Sequence, residues 1–585
     1  MDFYISNKRL NGHDERIGDL YLSYEKYHQI NERELVHDSD EILIFADANL
    51  SFVNSISKEP SIAKVEANIH KLKNGYIAIV NKERREAIIY NDVFGIYPLY
   101  YLKSNKSIII SSCFQWIKSF SMESTDDFAI LDIILFNYTL MDRTLLSEIK
   151  RLLAGSKVKI DSYKLFISVD NNFAENFHYQ ESKYKISRDV FVDLLNESLA
   201  NEIAEKREIN LTMTAGFDSR ELLALCMNQN LKVDTFTFGQ AGNIEQETIK
   251  SFIHNFSNKH TLFELDEKYI ANISNILREF IAANLANPTL LDLPHYMHIR
   301  NLQKGSNLIT GFMGGEMMQG QSLGSQVTIT KLAVELLFAE SEKVASSILI
   351  DTIGSIGFLN QKYVQSIARE YIETVSKYFY RDDKRNILTF LVNEKFAKFF
   401  GTVNNVYKNH SNLIVPFMNP EFLEYVLNSN ISFLRKRNFN KNPIANFRSK
   451  IFYAKSIKYL CPALANTRFD RLYCVDDLCK YYLIPKAAYY YVQNHLFHKN
   501  KRMFPRPHHY DLWYKPIILQ ELNSKHINEI SEIITVDSNF TSNQYDGLMP
   551  AEKKKSANLA GINLALGLLT QTKATDEKNI CAHGL

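Results

Sequence analysis

The chain has 585 residues, 45% apolar and 23% charged, and its 68 basic and 66 acidic side chains leave a formal charge of +2. That balance excludes disorder over most of the length and gives no electrostatic reason to expect a nucleic-acid partner. Six scattered cysteines with no CxxC pair argue against a disulfide framework or a zinc site. No uninterrupted apolar stretch reaches the about 18 residues of a membrane span, and the first residues lack a signal-peptide pattern. A cytoplasmic, multi-domain protein without membrane insertion is expected.

Short apolar and β-branched runs predict strands at 41–45, 75–80, 86–90, 99–102 and 107–111, a helix at 129–136, and strands at 157–160 and 165–169. Regular short strands with few helices read as a layered α+β domain over 1–170. Residues 171–188 are polar and aromatic without a period and read as a linker. A helix at 190–204 is followed by a strand at 210–213, a helix at 220–228, a strand at 233–238, a helix at 246–256 and strands at 261–265 and 307–310. This alternation predicts a doubly wound parallel sheet, placed in an α/β domain over 189–470. From about 330 onward the pattern reads as overwhelmingly helical, with 471–585 as a helical extension.

The sharpest local signal is LTMTAGFDSR at 211–220. A strand ending at Met213 and a helix beginning near Arg220 enclose small residues, a glycine, a carboxylate and a hydroxyl. Backbone N–H groups at the carboxyl edge of a parallel sheet bind phosphates. Asp218 can hold Mg²⁺ against those phosphates, because hard cations prefer oxygen, and Ser219 can donate to a phosphate oxygen. The competing reading is a helix cap after a turn. A second loop, LITGFMGGEMMQG at 308–320, follows a second strand, and Glu316 is its one carboxylate. Its glycines permit close backbone approach to a ligand. His295 and His298 lack a third ligand at metal spacing and read as structural. His508 and His509 read as surface, the tyrosine run at 489–491 as helix packing, and Lys553–Lys555 as a solvated charge run.

The TAGFDS at 214–219 resembles the pyrophosphate loop of the asparagine synthetase family, written SGGxDS. The TFTFG at 235–239 is similar to the next strand of that family, and Thr310 with Gly311 to its second nucleotide loop. The VPFMNP at 415–420 resembles its PFLD segment. NDVFGIYPLYY at 91–101 resembles the D-x-x-G-x-x-P-L-Y-Y signature of its glutaminase domain, continued at 109–111, 143–145 and 154–155. These matches run in the family's order over roughly residues 40–460.

The resemblance implies an α/β protein: an N-terminal Ntn-hydrolase-like αββα domain, then an adenine-nucleotide α-hydrolase-like (ATP pyrophosphatase) parallel-sheet domain with a helical C-terminal extension. It implies ATP and Mg²⁺ as cofactors. A substrate carboxylate would attack the α-phosphate, giving an acyl-adenylate and pyrophosphate, and ammonia or an amine would then give an amide and AMP. By position, Met213, Thr214, Ala215, Gly216, Asp218 and Ser219 would surround the phosphates, Phe238 would border adenine, and Thr310 and Gly311 would close the site. Asp218 and Glu316 would hold the metal. Arg448, with Lys450, Arg468 and Arg471 as other candidates, would neutralise the adenylation transition state. Arg220 after the serine resembles relatives that form amides on sugar acids or macrolactams on peptides.

The chain departs from the family at four places. Asp2 stands where a nucleophilic cysteine is expected, so no glutamine hydrolysis is expected and the domain would persist as a scaffold. Ala215 replaces the first loop glycine, at about 1 kcal/mol if that position needs a positive φ. Gly315 falls where a Mg²⁺-binding aspartate is usual, with Glu316 one place late. Phe312 or Met313 falls where asparagine synthetase has a Glu and a β-lactam-forming relative a Tyr, so amine activation would differ from both. The expected partners are a small-molecule or peptide carboxylate and an amine or ammonia, with room for a homodimer or a pathway partner protein. The alternative is a nucleotide-binding pseudo-enzyme or scaffold without ligase activity.

Overall fold

The computed structural model describes residues 2–6, 15–17, 20–25, 34–104, 108–121, 124–161, 166–171, 183–204, 208–288, 290, 304–319, 330–380, 385–432, 434, 443–469, 473–483, 485–486, 489, 510–523, 532–534, 541–548 and 550–571. The N-terminal strands are β1 (Asp2–Ser6), β2 (Glu15–Ile17), β3 (Leu20–Glu25), β4 (Glu34–Asp38), β5 (Ile42–Ala48), β6 (Gly75–Asn81), β7 (Glu86–Asn91), β8 (Tyr100–Lys103), β9 (Ile108–Ser111), β10 (Ile149–Arg151), β11 (Ser156–Asp161) and β12 (Phe166–Asn171). They form two six-stranded antiparallel sheets, ordered β10-β8-β9-β1-β3-β2 and β12-β11-β7-β6-β5-β4.

Period-two alternation sets the layers. Leu43 and Phe45 of β5 enter a core shared with Phe3, Ile5, Ile108 and Ile110 of the other sheet. Their neighbours Ile44 and Ala46 pack instead with Phe52, Val53 and Ile56 of the helix Leu50–Ile56 and with Val65 of the helix Ile62–Asn68. On the far side, Ile109 joins Phe114, Ile117 and the helix Asp127–Phe136. The result is helices, sheet, sheet, helices. β1 to β4 and β10 are strands that the sequence pattern did not announce; β2 and β10 have only three residues each, too few for a period.

The second region is built on β13 (Ile209–Thr212), β14 (Asp234–Gly239), β15 (Lys259–Glu264), β16 (Asn307–Ile309) and β17 (Asn412–Ile414), in the order β15-β14-β13-β16-β17. Every neighbouring pair is parallel. The chain moves outward one way from β13 and then crosses to β16 on the other side. The order therefore reverses between β13 and β16, and loops leaving a sheet at such a point diverge to open a crevice. β17 is the strand within the overwhelmingly helical stretch after residue 330: its three buried residues complete the sheet edge. The first helix of this sheet starts at Phe217 rather than at Arg220, so Asp218 and Ser219 lie in its first turn.

The end of the expected linker is docked: Tyr184 stacks on Tyr425 with centroids 5.0 Å apart, and its carbonyl accepts the Asn430 amide at 3.0 Å. A π-helix, Leu391–Phe400, joins the antiparallel and parallel regions. Arg151 donates to Ala397 O at 2.6 Å, the Ala154 amide donates to Asn393 Oδ1 at 3.0 Å, and Lys398 donates to Thr139 O at 2.7 Å and Met141 O at 2.6 Å. No helix among the described residues is long and apolar enough to cross a membrane. His295, His298, Arg471, His508, His509 and the tyrosines at 490 and 491 lie outside the described residues.

Candidate functional site

The loop after β13 is tied down from both ends. The Met213 amide donates to Phe236 O of the adjacent strand at 2.8 Å. The Thr214 amide donates to Ser219 Oγ at 3.1 Å, and that hydroxyl donates back to Thr214 O at 2.9 Å. The Gly216 amide donates to Thr214 Oγ1 at 3.3 Å, and the Ala215 amide to Glu245 Oε1 at 3.1 Å. A carboxylate of the helix Ile244–Lys250 thus already occupies one of the anion-binding amides. Ala215 is buried and is not among the residues with positive φ, so the alanine carries no left-handed strain. The condition for the about 1 kcal/mol cost is therefore not met.

The second loop presses directly on the first. A Cβ at Gly311 would lie 3.2 Å from both Asp218 Cβ and the Ser219 nitrogen. A Cβ at Gly314 would lie 2.8 Å from Asp218 Oδ1 and 2.9 Å from Phe417 Cε2. Only glycine allows this approach. Met313 between them takes φ 77, a conformation rare for a residue with a side chain. Thr310 is buried beside them, its amide donating to Ile414 O at 3.0 Å.

The loops converge on Asp218. Burial pushes its carboxyl up to about 7, the Glu316 charge adds to this, and the nearby Tyr453 hydroxyl and Gly315 amide oppose it. Glu221, one helical turn later, is pushed up to about 8 by burial, against the hydrogen bond from Ser456. Among the described residues, Asp218 Oδ1, Glu221 Oε2, Thr310 Oγ1 and the Tyr453 hydroxyl are buried without a well-formed hydrogen bond. Such orphaned oxygens around one crevice are what a cation and a polar ligand would satisfy. Among the described residues no group of three or more His, Cys, Asp or Glu assembles around a metal position. Two carboxylates with the remaining ligands from phosphate and water suits Mg²⁺, so Asp218 and Glu316 fit the expected ion.

Glu316 is not alone, however. The buried Lys395 ammonium, on the π-helix, lies 3.0 Å from Glu316 Oε1. Phe238, near the end of β14, pairs in register with Phe263 and is half-buried. Phe312 packs on Phe400 and Tyr407, centroids 5.1 and 6.2 Å away, so no acid or base stands at that position. Arg448 lies on the helix Pro443–Leu460, which also carries Tyr453 and Ser456 to the crevice; its own side chain lies outside the described residues. Arg220 is fully buried between the rings of Phe252 and Phe469, 4.5 and 4.6 Å away, and donates to Thr467 and to Arg468 O. It packs the helix and does not face a ligand, and Arg468 is exposed.

Sequence reasoning missed Glu221, Tyr453, Ser456 and Lys395. Glu221 was accessible from its spacing of three from Asp218 on one helix face. Tyr453 and Ser456 share the same spacing inside a run that reads as core packing. Lys395 sits in an aromatic stretch, NEKFAKFF, with nothing to distinguish it from Lys398.

In the antiparallel region, Asp92 is fully buried and accepts amides from Gly75 at 3.3 Å, Phe94 at 3.0 Å, and Ile96 and Tyr97 at 3.1 Å. Burial raises its carboxyl to about 6 against those four-fold bonded surroundings. Gly95 has φ 60, and a Cβ there would meet the Ala154 backbone at 3.0 Å. The D-x-x-G turn therefore holds the two sheets' connections together. No curated protein matches the chain. The family-level finding is confined to this region, where residues 64–169 match the glutamine amidotransferase domain.

Proposed function

We propose that the protein is an ATP-dependent amide-bond-forming ligase of the asparagine synthetase type, with its nucleotide site in the crevice between the loops after β13 and β16. One observation carries this reading: two glycine loops at the point where strand order reverses close on a buried aspartate whose Oδ1 has no well-formed hydrogen bond among the described residues. In this reading residues 1–170 form the amidotransferase-like domain of Ntn-hydrolase type, 171–188 a linker, 189–470 the ATP pyrophosphatase-type domain, and 471–585 an extension.

Asp218 and Glu316 would hold Mg²⁺, which when bound would neutralise charge developing on the departing pyrophosphate. The Thr214, Ala215 and Gly216 amides would receive phosphate oxygens as their present side-chain acceptors withdraw. Ser219 keeps the loop on the helix N-terminus, and Phe238 would border the base. Arg448, carried over from the resemblance, would neutralise the adenylation transition state. Amine activation would rest on groups other than Phe312 and Met313. Asp2 opens β1, and the Cys113 thiol is buried and donates to Gln115 Oε1 at 3.3 Å. Neither supplies a free thiolate, so nitrogen would come from ammonia or an amine rather than from glutamine hydrolysed by this chain.

The test is incubation with ATP, Mg²⁺ and a panel of sugar-acid, amino-acid and peptide carboxylates, following AMP and pyrophosphate, with Asp218→Ala as control. Carboxylate-dependent pyrophosphate release that disappears in the control supports the reading. Absence of ATP binding overturns it. The Glu245 carboxylate on the Ala215 amide favours a second reading, a nucleotide-binding scaffold; ATP binding with no release for any carboxylate would select it.

A further inference from the structure

The Lys395 side chain is 0% exposed and pairs with Glu316, itself 16% exposed. Its ammonium also lies 5.0 Å from the Phe400 ring centroid. A buried lysine is costly unless its charge is used, and here burial depresses its proton affinity while Glu316 offsets that in part. The backbone around it is equally specific. A ten-residue π-helix is a rare conformation that concentrates at functional sites. The other face of this helix is fixed by Asn393, Glu394, Ala397 and Lys398, which bond to residues 139–154. The helix therefore has one register, and that register sets Lys395 on Glu316.

We infer that Lys395 is the positioning residue and fixed cation of the crevice: it orients Glu316 and cancels its charge, so that a divalent cation enters only together with the phosphates of a nucleotide. The inference rests on the nucleotide reading above. With Lys395 in place, Asp218 and Glu316 offer at most one net negative charge. Affinity of an oxygen site for a hard cation follows its ligand charge, and the missing charge would come from the phosphates.

The test uses the full-length protein and Mn²⁺ as probe, with bound ion read as the excess Mn²⁺ retained with the protein over the protein-free chamber in equilibrium dialysis, so that Mn²⁺ held by free ATP cancels. Wild type is titrated with and without ATP, beside Lys395→Met and Lys395→Arg. The expected result is Mn²⁺ uptake by wild type and Lys395→Arg only with ATP, and uptake by Lys395→Met without ATP at least about tenfold tighter than by wild type. Equal nucleotide-free uptake by wild type and Lys395→Met, with ATP binding intact, overturns the role of Lys395 and leaves the nucleotide reading standing. Wild type that takes up neither ATP nor Mn²⁺–ATP overturns both. Should Lys395→Met fail to fold, Lys395→Gln is titrated in its place: nucleotide-free uptake equal to that of wild type refutes the inference, and tighter nucleotide-free uptake upholds it.

Discussion

Replacing Asp218 with asparagine should stabilise the fold while removing the function. The native carboxyl is pushed up from 3.8 to about 7 by burial, with Glu316 adding to the shift. Between those values the native state holds a proton that the unfolded state has released. Stability therefore falls as pH rises through this window, the penalty being absent below the lower value and complete above the upper. Three units at about 1.4 kcal/mol each set a ceiling of about 4 kcal/mol. Relaxation around the crevice and sharing of the charge with Glu316 bring the expected effect to about 2 kcal/mol at pH 8. An asparagine keeps the shape without the charge, so the Asp218→Asn variant escapes the penalty. Thermal melts of both proteins at pH 4.5 and pH 8 measure it. The stability gap should be small at pH 4.5 and widen in favour of Asp218→Asn by about 4 °C at pH 8, taking about 2 °C per kcal/mol for large domains. A gap that does not change with pH, or a variant less stable than wild type at pH 8, refutes the buried-carboxyl argument. Nucleotide-dependent Mn²⁺ uptake should be lost in the same variant.

The other expectations follow the same geometry. Glu221→Gln should show the same sign, with the window reaching about one unit higher, since that carboxyl sits at about 8; melts at pH 6 and pH 9 would show it. Gly314→Ala forces a Cβ into Asp218 Oδ1 and Phe417 and should cost about 1–3 kcal/mol. Gly357→Ala, where a Cβ meets nothing within 4 Å, is the control and should be near neutral by the same melt. Lys408→Met removes the cation paired with the buried Asp47 carboxylate and should cost about 3–5 kcal/mol, read by denaturant unfolding; a loss under about 1 kcal/mol would show the pair is dispensable. Glu245→Ala frees the Ala215 amide and should tighten pyrophosphate binding several-fold by calorimetry; weaker binding would show that Glu245 supports the loop instead of competing for it.

The parts of this fold legible in the sequence are those governed by local chemistry. β5 to β9 and β11 to β15 stand out because alternating or continuous β-branched runs of adequate length are bounded by turns. The two glycine loops were legible because small residues after a strand have few other uses, and their adjacency follows once β13 and β16 pair. β17 was not legible: Asn412–Ile414 has no period and becomes a strand only because β16 offers it an edge. The charge arrangement was hidden for a similar reason. Glu316 was visible as a carboxylate in a loop, but its partner Lys395 lies 79 positions later on another element, and nothing local distinguishes a lysine that will be buried. Arg220 shows the converse, a motif residue that serves packing. It stands beside Ser219 in the motif, yet on the helix it points away from the loop into Phe252 and Phe469.

The junction gives a physical reason for the amidotransferase-type segment to be kept independently of any thiol chemistry. Within residues 64–169, Asp92 organises the turn whose Gly95 carbonyl accepts Arg151 at 3.0 Å. Arg151 passes that constraint to the π-helix through Ala397 O, and Ala154 adds a second bond through Asn393. A cation bonded to two carbonyls in a dry interface cannot be replaced by a neutral side chain without leaving both acceptors unsatisfied. Glu394 and Lys398 form a second such group, with the Met141 amide and the Thr139 and Met141 carbonyls as their partners across the interface. The antiparallel region therefore fixes the register of the helix that carries Lys395. Loss of the segment would expose these paired charges and release that register.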